Sequence, residues 1–148
     1  AIMGNSTGAR GALLAAARNP EMYGAVAGLS GDYDPVSMPR SRVLASMYGP
    51  YKSFRDRWKQ VDNVKEMAAG LQSVPVYLMH GNKDFVVPKE QSLILAMEMR
   101  KLAKQSVGGG FDVTYREVPY AQHEWGFWRK ALPEVMGFMD KNLKESDK

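Results

Sequence analysis

The chain has 148 residues, 45% of them hydrophobic, with a formal net charge of +4 and no cysteine. That length and apolar content suit one core of ordinary domain size and exclude a disordered chain. The missing cysteines exclude disulfides, thiolate metal sites and a cysteine nucleophile, and no run of eighteen or so apolar residues is present to cross a membrane.

Ala1 to Met3 is apolar, Gly4-Asn5-Ser6-Thr7-Gly8 spells G-x-S-x-G, and Ala9 to Arg18 has helix-forming composition. Strand, sharp turn and helix in that order are the surroundings of a nucleophile elbow, whose glycines let the serine backbone and Oγ approach a substrate. Asn19-Pro20 ends the helix, because the residue before proline avoids the α conformation. Ala25 to Leu29 reads as a short apolar strand, and Gly31 to Pro35 leaves the sheet. From about 35 to 72 the composition is mixed, with Tyr48, Tyr51, Phe54 and Trp58 among charges and a helix expected over Val64 to Leu71. This stretch reads as a small helical cap-like insertion over the end of the sheet. Within it Lys52, Arg55, Arg57 and Lys59 concentrate positive charge, which we read as a solvated helix face.

Val74 to Met79 is a strand of the kind covered on both faces, and it runs into His80-Gly81. Pro88 opens a helix reaching about Gln105, with Leu93, Met97 and Leu102 among its buried positions. Gly108 to Gly110 connects it to a last strand over Phe111 to Val118. The final helix carries Trp128, Leu132, Val135, Phe138 and Met139 at helical spacing, with Pro133 expected in its first turn. Alternating strands and helices of this kind specify an α/β fold, a three-layer α/β/α arrangement with a mostly parallel sheet, in one domain over residues 1–148.

Acyl transfer by a serine needs a nucleophile, a base and an acid that orients the base. Ser6 is the nucleophile candidate. Of the two histidines, His123 follows the last strand in a loop that can swing over the serine, whereas His80 ends an inner strand and reads as a hydrogen-bonded structural residue. Asp84, four residues after His80, lies in a loop at the same sheet edge, and the order Ser, Asp, His matches α/β-hydrolases. Asp32 and Asp34 are the competing carboxylates, read as turn or pocket residues. A metal site from His80, Asp84 and His123 leaves the serine unexplained. The backbone N–H of Thr7, at the positive end of the elbow helix, is the candidate oxyanion donor, and Asn5 and Trp125 are candidate substrate contacts. Trp125, Phe127 and Trp128 are most simply core residues, with Trp125 also able to wall a pocket beside the base.

Four stretches carry a resemblance: the elbow through Leu13, Ala25 to Asp34 with its Leu-Ser-Gly-Asp-Tyr-Asp ending, His80-Gly81-Asn82-Lys83-Asp84 with Val87-Pro88, and Gln122-His123-Glu124-Trp125 with Phe127-Trp128. Together they resemble the carboxyl-terminal part of an α/β-hydrolase of the putative-esterase type, which includes esterase D-like, feruloyl and acetyl esterases. The resemblance implies a serine hydrolase of carboxylic esters, with Ser6, Asp84 and His123 as triad, Thr7 as oxyanion donor, a small-molecule ester as substrate and no cofactor. A prolyl-oligopeptidase-like peptidase or amidase on the same scaffold, or a non-catalytic binding domain, are the alternatives. Where most relatives carry glycine after the elbow, this chain has Ala9-Arg10. In the resembled fold further strands precede the elbow and supply the second oxyanion donor, so another polypeptide segment is expected to complete the sheet. No nucleic-acid or membrane partner is expected, and the compartment is left open.

Overall fold

A computed structural model describes residues 1–143. Four strands, β1 (Ile2–Asn5), β2 (Val26–Leu29), β3 (Val76–Gly81) and β4 (Val113–Val118), form one sheet in the order β1-β2-β3-β4. Every neighbouring pair is parallel, so all four carboxyl ends face one edge. Among the described residues the α-helices are α1 (Thr7–Arg18), α2 (Arg42–Tyr48), α3 (Arg55–Gln60), α4 (Glu90–Gln105) and α5 (Trp125–Asn142).

The strand period of two divides the core between the faces. Val26, Val76 and Leu78 pack with Leu13, Ala16 and Ala17 of α1 and Leu95, Ala96 and Met99 of α4. Ala27, Leu29, Tyr77 and Met79 point the other way, onto Phe127, Trp128, Val135 and Met139 of α5. This is the three-layer α/β/α arrangement. β2 and β3 are buried along their whole length, which explains why they read as continuous apolar runs rather than alternating ones. β1, at one edge, pairs only with β2 among the described residues.

Residues 35–72 hold the short helices α2 and α3 over a small cluster of Leu44, Tyr48 and Trp58. Trp58 Nε1 donates to the Gly49 carbonyl at 2.9 Å. Lys52, Arg55, Arg57 and Lys59 are all exposed. The helix expected over Val64 to Leu71 is only a single 3-10 turn, Ala68–Leu71. Gly70 explains this: a Cβ there would sit 2.1 Å from the Ala17 carbonyl oxygen, so the backbone is pressed onto α1 and follows that surface rather than its own helical preference.

Two further expectations are corrected. Met97 is 59% exposed, while Gln91 and Ser92 are buried with Leu95, Ala96 and Met99. The stripe of α4 is rotated because Gln91 accepts hydrogen bonds from the backbone N–H groups of Tyr33 and Asp34 at 2.9 and 2.8 Å, and so must face inward. Pro133 lies inside α5, well beyond its first turn. It is exposed, as is Arg129, whose carbonyl loses its helical donor, and solvent can satisfy a carbonyl freed on that side.

Candidate active site

β1 ends at Asn5 and α1 begins at Thr7, leaving Ser6 alone to turn the chain. Its backbone is at φ 53° and ψ −129°, a conformation that costs a residue with a side chain on the order of 1–3 kcal/mol. The turn is held by Ser6 N–H donating to the Leu29 carbonyl at 2.8 Å and by Ala9 N–H donating to the Ser6 carbonyl at 2.9 Å. Gly4 is required by contact: a Cβ there would lie 2.2 Å from the Gly8 carbonyl oxygen, whereas a Cβ on Gly8 would meet nothing within 4 Å.

Ser6 Oγ lies 2.9 Å from His123 Nε2, and His123 Nδ1 lies 2.7 Å from Asp84 Oδ2. With Nδ1–H donating to the carboxylate, Nε2 is free to accept the serine proton. The structure thus brings together Ser6, Asp84 and His123. Asp84 sits in the loop after β3, its side chain fully buried. Its Oδ1 accepts from the backbone N–H groups of Val86 and Val87 at 3.0 and 2.8 Å. Burial pushes the Asp84 carboxyl up, but hydrogen bonds from His80, Val87 and His123, with the nearby charge of His123, outweigh this and hold it down to about 2. The His123 and Trp128 rings pack in a T-shaped arrangement, 5.0 Å apart between centroids, and Trp128 Nε1 donates to Ser30 Oγ at 3.2 Å.

The competing acids lie elsewhere. Asp34 binds Lys65 Nζ at 3.0 Å and Asn63 Nδ2 at 3.3 Å. Asp32 binds Arg10 Nη1 at 2.8 Å, and both residues are buried. Arg10 is the residue of this neighbourhood that sequence reasoning underrated. Its signal was present: a long cation one turn after the serine, on a helix otherwise lined by alanine and leucine. Among the described residues no group of three or more His, Asp or Glu is disposed to hold a metal ion.

Thr7, as the first residue of α1, has no intrahelical acceptor for its backbone N–H, which is left available beside Ser6. Phe127 and Trp128 are buried, but Trp125 is 68% exposed; it belongs to the rim rather than the core. Together with Met3, Asn5, Leu29, Trp128 and Leu132 it lines a slot of about 160 Å³ beside the elbow. A larger cleft of about 390 Å³ lies between β4 and α5, and none of Ser6, Asp84 and His123 lines it.

The sequence profile of the Putative esterase family matches residues 1–139. The chain belongs to that family. No curated protein sequence matches this esterase-family chain. Solved structures do. A ferulic acid esterase superposes with a TM-score of 0.70 at 21% identity, over 95% of this chain and 51% of that one. An S-formylglutathione hydrolase from Agrobacterium tumefaciens gives 0.69 at 18%, over 97% and 49%. The acylaminoacyl peptidase of Pyrococcus horikoshii gives 0.77 at 16%, over 99% and 24%. At these identities the likeness shows the α/β-hydrolase fold. The chain spans about half the length of the two esterase-type neighbours.

Proposed function

We propose that the protein hydrolyses carboxylic esters through an acyl-enzyme formed on Ser6. The observation that carries this reading is the His123 ring, whose two nitrogens lie 2.9 Å from Ser6 Oγ and 2.7 Å from Asp84 Oδ2. Membership of the Putative esterase family supports the ester as substrate.

Ser6 Oγ attacks the ester carbonyl while its proton passes to His123 Nε2. The ring becomes a cation, which the Asp84 carboxylate stabilises through Nδ1–H without taking the proton. Negative charge grows on the carbonyl oxygen beside the Thr7 N–H, where the amino end of α1 adds its dipole. Collapse breaks the ester C–O bond, and His123 returns the proton to the departing alcohol. Water then repeats the sequence, deprotonated by His123, and releases the acid with Ser6 restored. The slot lined by Asn5 and Trp125 receives one apolar arm of the substrate. A second oxyanion N–H, and backbone groups to pair the open edge of β1, come from another polypeptide segment. No cofactor takes part.

The test is a fluorophosphonate probe on the intact, folded protein, read by mass spectrometry, alongside turnover of a nitrophenyl ester and an aminoacyl anilide. An adduct on Ser6 with faster ester turnover is expected. An intact Ser6 after exposure to probe points to a non-catalytic domain, and preferential anilide cleavage points to an amidase.

A further inference from the structure

His80 closes β3, and none of its surface is exposed. Its Nε2 lies 2.9 Å from the Val87 carbonyl oxygen and 3.3 Å from Asp84 Oδ2. A carbonyl only accepts, so Nε2 carries the hydrogen. Nδ1 lies 2.8 Å from the Ser92 hydroxyl in the first turn of α4, which fixes the plane of the ring from its far side. Asp84 Oδ1 already receives the N–H groups of Val86 and Val87. Oδ2 is therefore shared between the two histidines of the chain, His123 at 2.7 Å and His80 at 3.3 Å.

We propose that His80 is a positioning residue for the relay: its Nε2–H, shared between the Val87 carbonyl and Asp84 Oδ2, fixes the loop and draws charge from the carboxylate that His123 uses. The proposal rests on the reading of Ser6, His123 and Asp84 as that relay. His80 touches no substrate. It holds both sides of the loop from Asp84 to Val87, since Val87 gives its N–H to Asp84 and its carbonyl to His80.

The charged and titratable surroundings of the pair are few. Tyr33, from the segment after β2, is buried beside Ser92. Glu117, the register partner of His80 on β4, is neutralised by Lys89 at 2.8 Å. Asp32, close enough to feel the His123 charge, is paired with Arg10. Losing the His80 donor thus falls on Asp84. A carboxylate with one donor fewer holds the protonated His123 more tightly, and the base is recovered only at higher pH.

The experiment is ester turnover by the intact protein across pH, normalised to the fraction of Ser6 that a fluorophosphonate labels, for wild type, His80→Leu, His80→Gln and Ser92→Ala. For His80→Leu the acid limb of kcat/KM moves up by roughly half a pH unit and kcat per labelled site falls about tenfold, with KM unchanged. His80→Gln, whose side-chain amide can donate to the Val87 carbonyl, recovers most of both. A purely structural histidine would lower the labelled fraction and leave the limb in place, and a limb that does not move overturns the proposal. Where His80→Leu does not fold, Ser92→Ala decides: it frees the ring plane and moves the limb the same way by less, and a stationary limb overturns the proposal. Failure of the relay reading looks different, because wild type itself then shows no label on Ser6.

Discussion

Arg10 and Asp32 form a buried ion pair, with Nη1 2.8 Å from Oδ2 and side chains only 3% and 8% exposed. The pair ties the first turn of the elbow helix to the loop leaving β2, and the Tyr48 ring of α2 lies 5.8 Å from the guanidinium. Asp32 Oδ1 is buried without a partner among the described residues. Burial raises the Asp32 carboxyl above its usual range, against the opposing effects of Arg10, a backbone hydrogen bond and His123.

Removing one member leaves the other charge stranded in the interior. Asp32→Ala is expected to cost about 3 to 5 kcal/mol of stability, whereas Arg10→Met with Asp32→Leu, which removes both charges, costs less than about 1. Urea unfolding of the two variants side by side checks this. A double variant as damaged as the single one would remove the ion pair as the cause.

The two elbow glycines are not equivalent. Gly4→Ala drives a methyl into the Gly8 carbonyl at 2.2 Å, so it should lose about 2 kcal/mol or more and most of the activity, because the nucleophile moves with the backbone. Gly8→Ala meets no atom within 4 Å and replaces glycine inside a helix, so it should be neutral or stabilise by up to about 1 kcal/mol. Thermal denaturation ranks the pair, and equal losses would show that the contact at Gly4 is not decisive.

Ser6, His123 and Asp84 should behave as a unit. Ser6→Ala and His123→Ala are each expected to lower kcat by more than about 10⁴-fold, and the double variant to fall no further than the worse single one. Asp84→Asn, which keeps the shape but permits the wrong imidazole tautomer, should lose about 10⁴-fold. Steady-state ester hydrolysis measures all four. Additive losses in the double variant would mean that Ser6 and His123 act independently.

Asp84 also makes stability depend on pH. Its folded value of about 2 lies below the ordinary 3.8, so as pH falls the unfolded chain takes up the proton first. The contribution is complete above the ordinary value and is lost as pH falls through about 2. Denaturant unfolding at several acid pH values should show Asp84→Asn flattening that decline by on the order of 2 kcal/mol. A variant whose acid decline parallels wild type would contradict the assignment.

The elbow was legible because its causes are local: Gly4 gives way to the backbone of its own turn, and Ser6 is the single residue between a strand and a helix. β2 and β3 were legible because apolar residues on both sides of a strand leave a continuous run. The helix over 64–71 and the inward face of α4 were misread because their causes are distant, Ala17 in one case and the backbone of Tyr33 and Asp34 in the other. For Trp125 the sequence leaves two readings, core residue or pocket wall, and only its position on α5 decides for the rim.

By itself the sequence determined the chemical parts: a serine in an elbow, two histidines, a carboxylate after a strand, and the α/β alternation that orders them. The position of His123 after the last strand already favoured it over His80; only the tertiary structure decided that both rings lie within 3.3 Å of Asp84 Oδ2 and that, of the two, His123 alone reaches Ser6. The physical reason is that parallel pairing places the ends of β1, β2, β3 and β4 along one edge. That edge gathers residues more than a hundred positions apart, such as Ser6 and His123, within one hydrogen bond. No local window of the chain contains that distance.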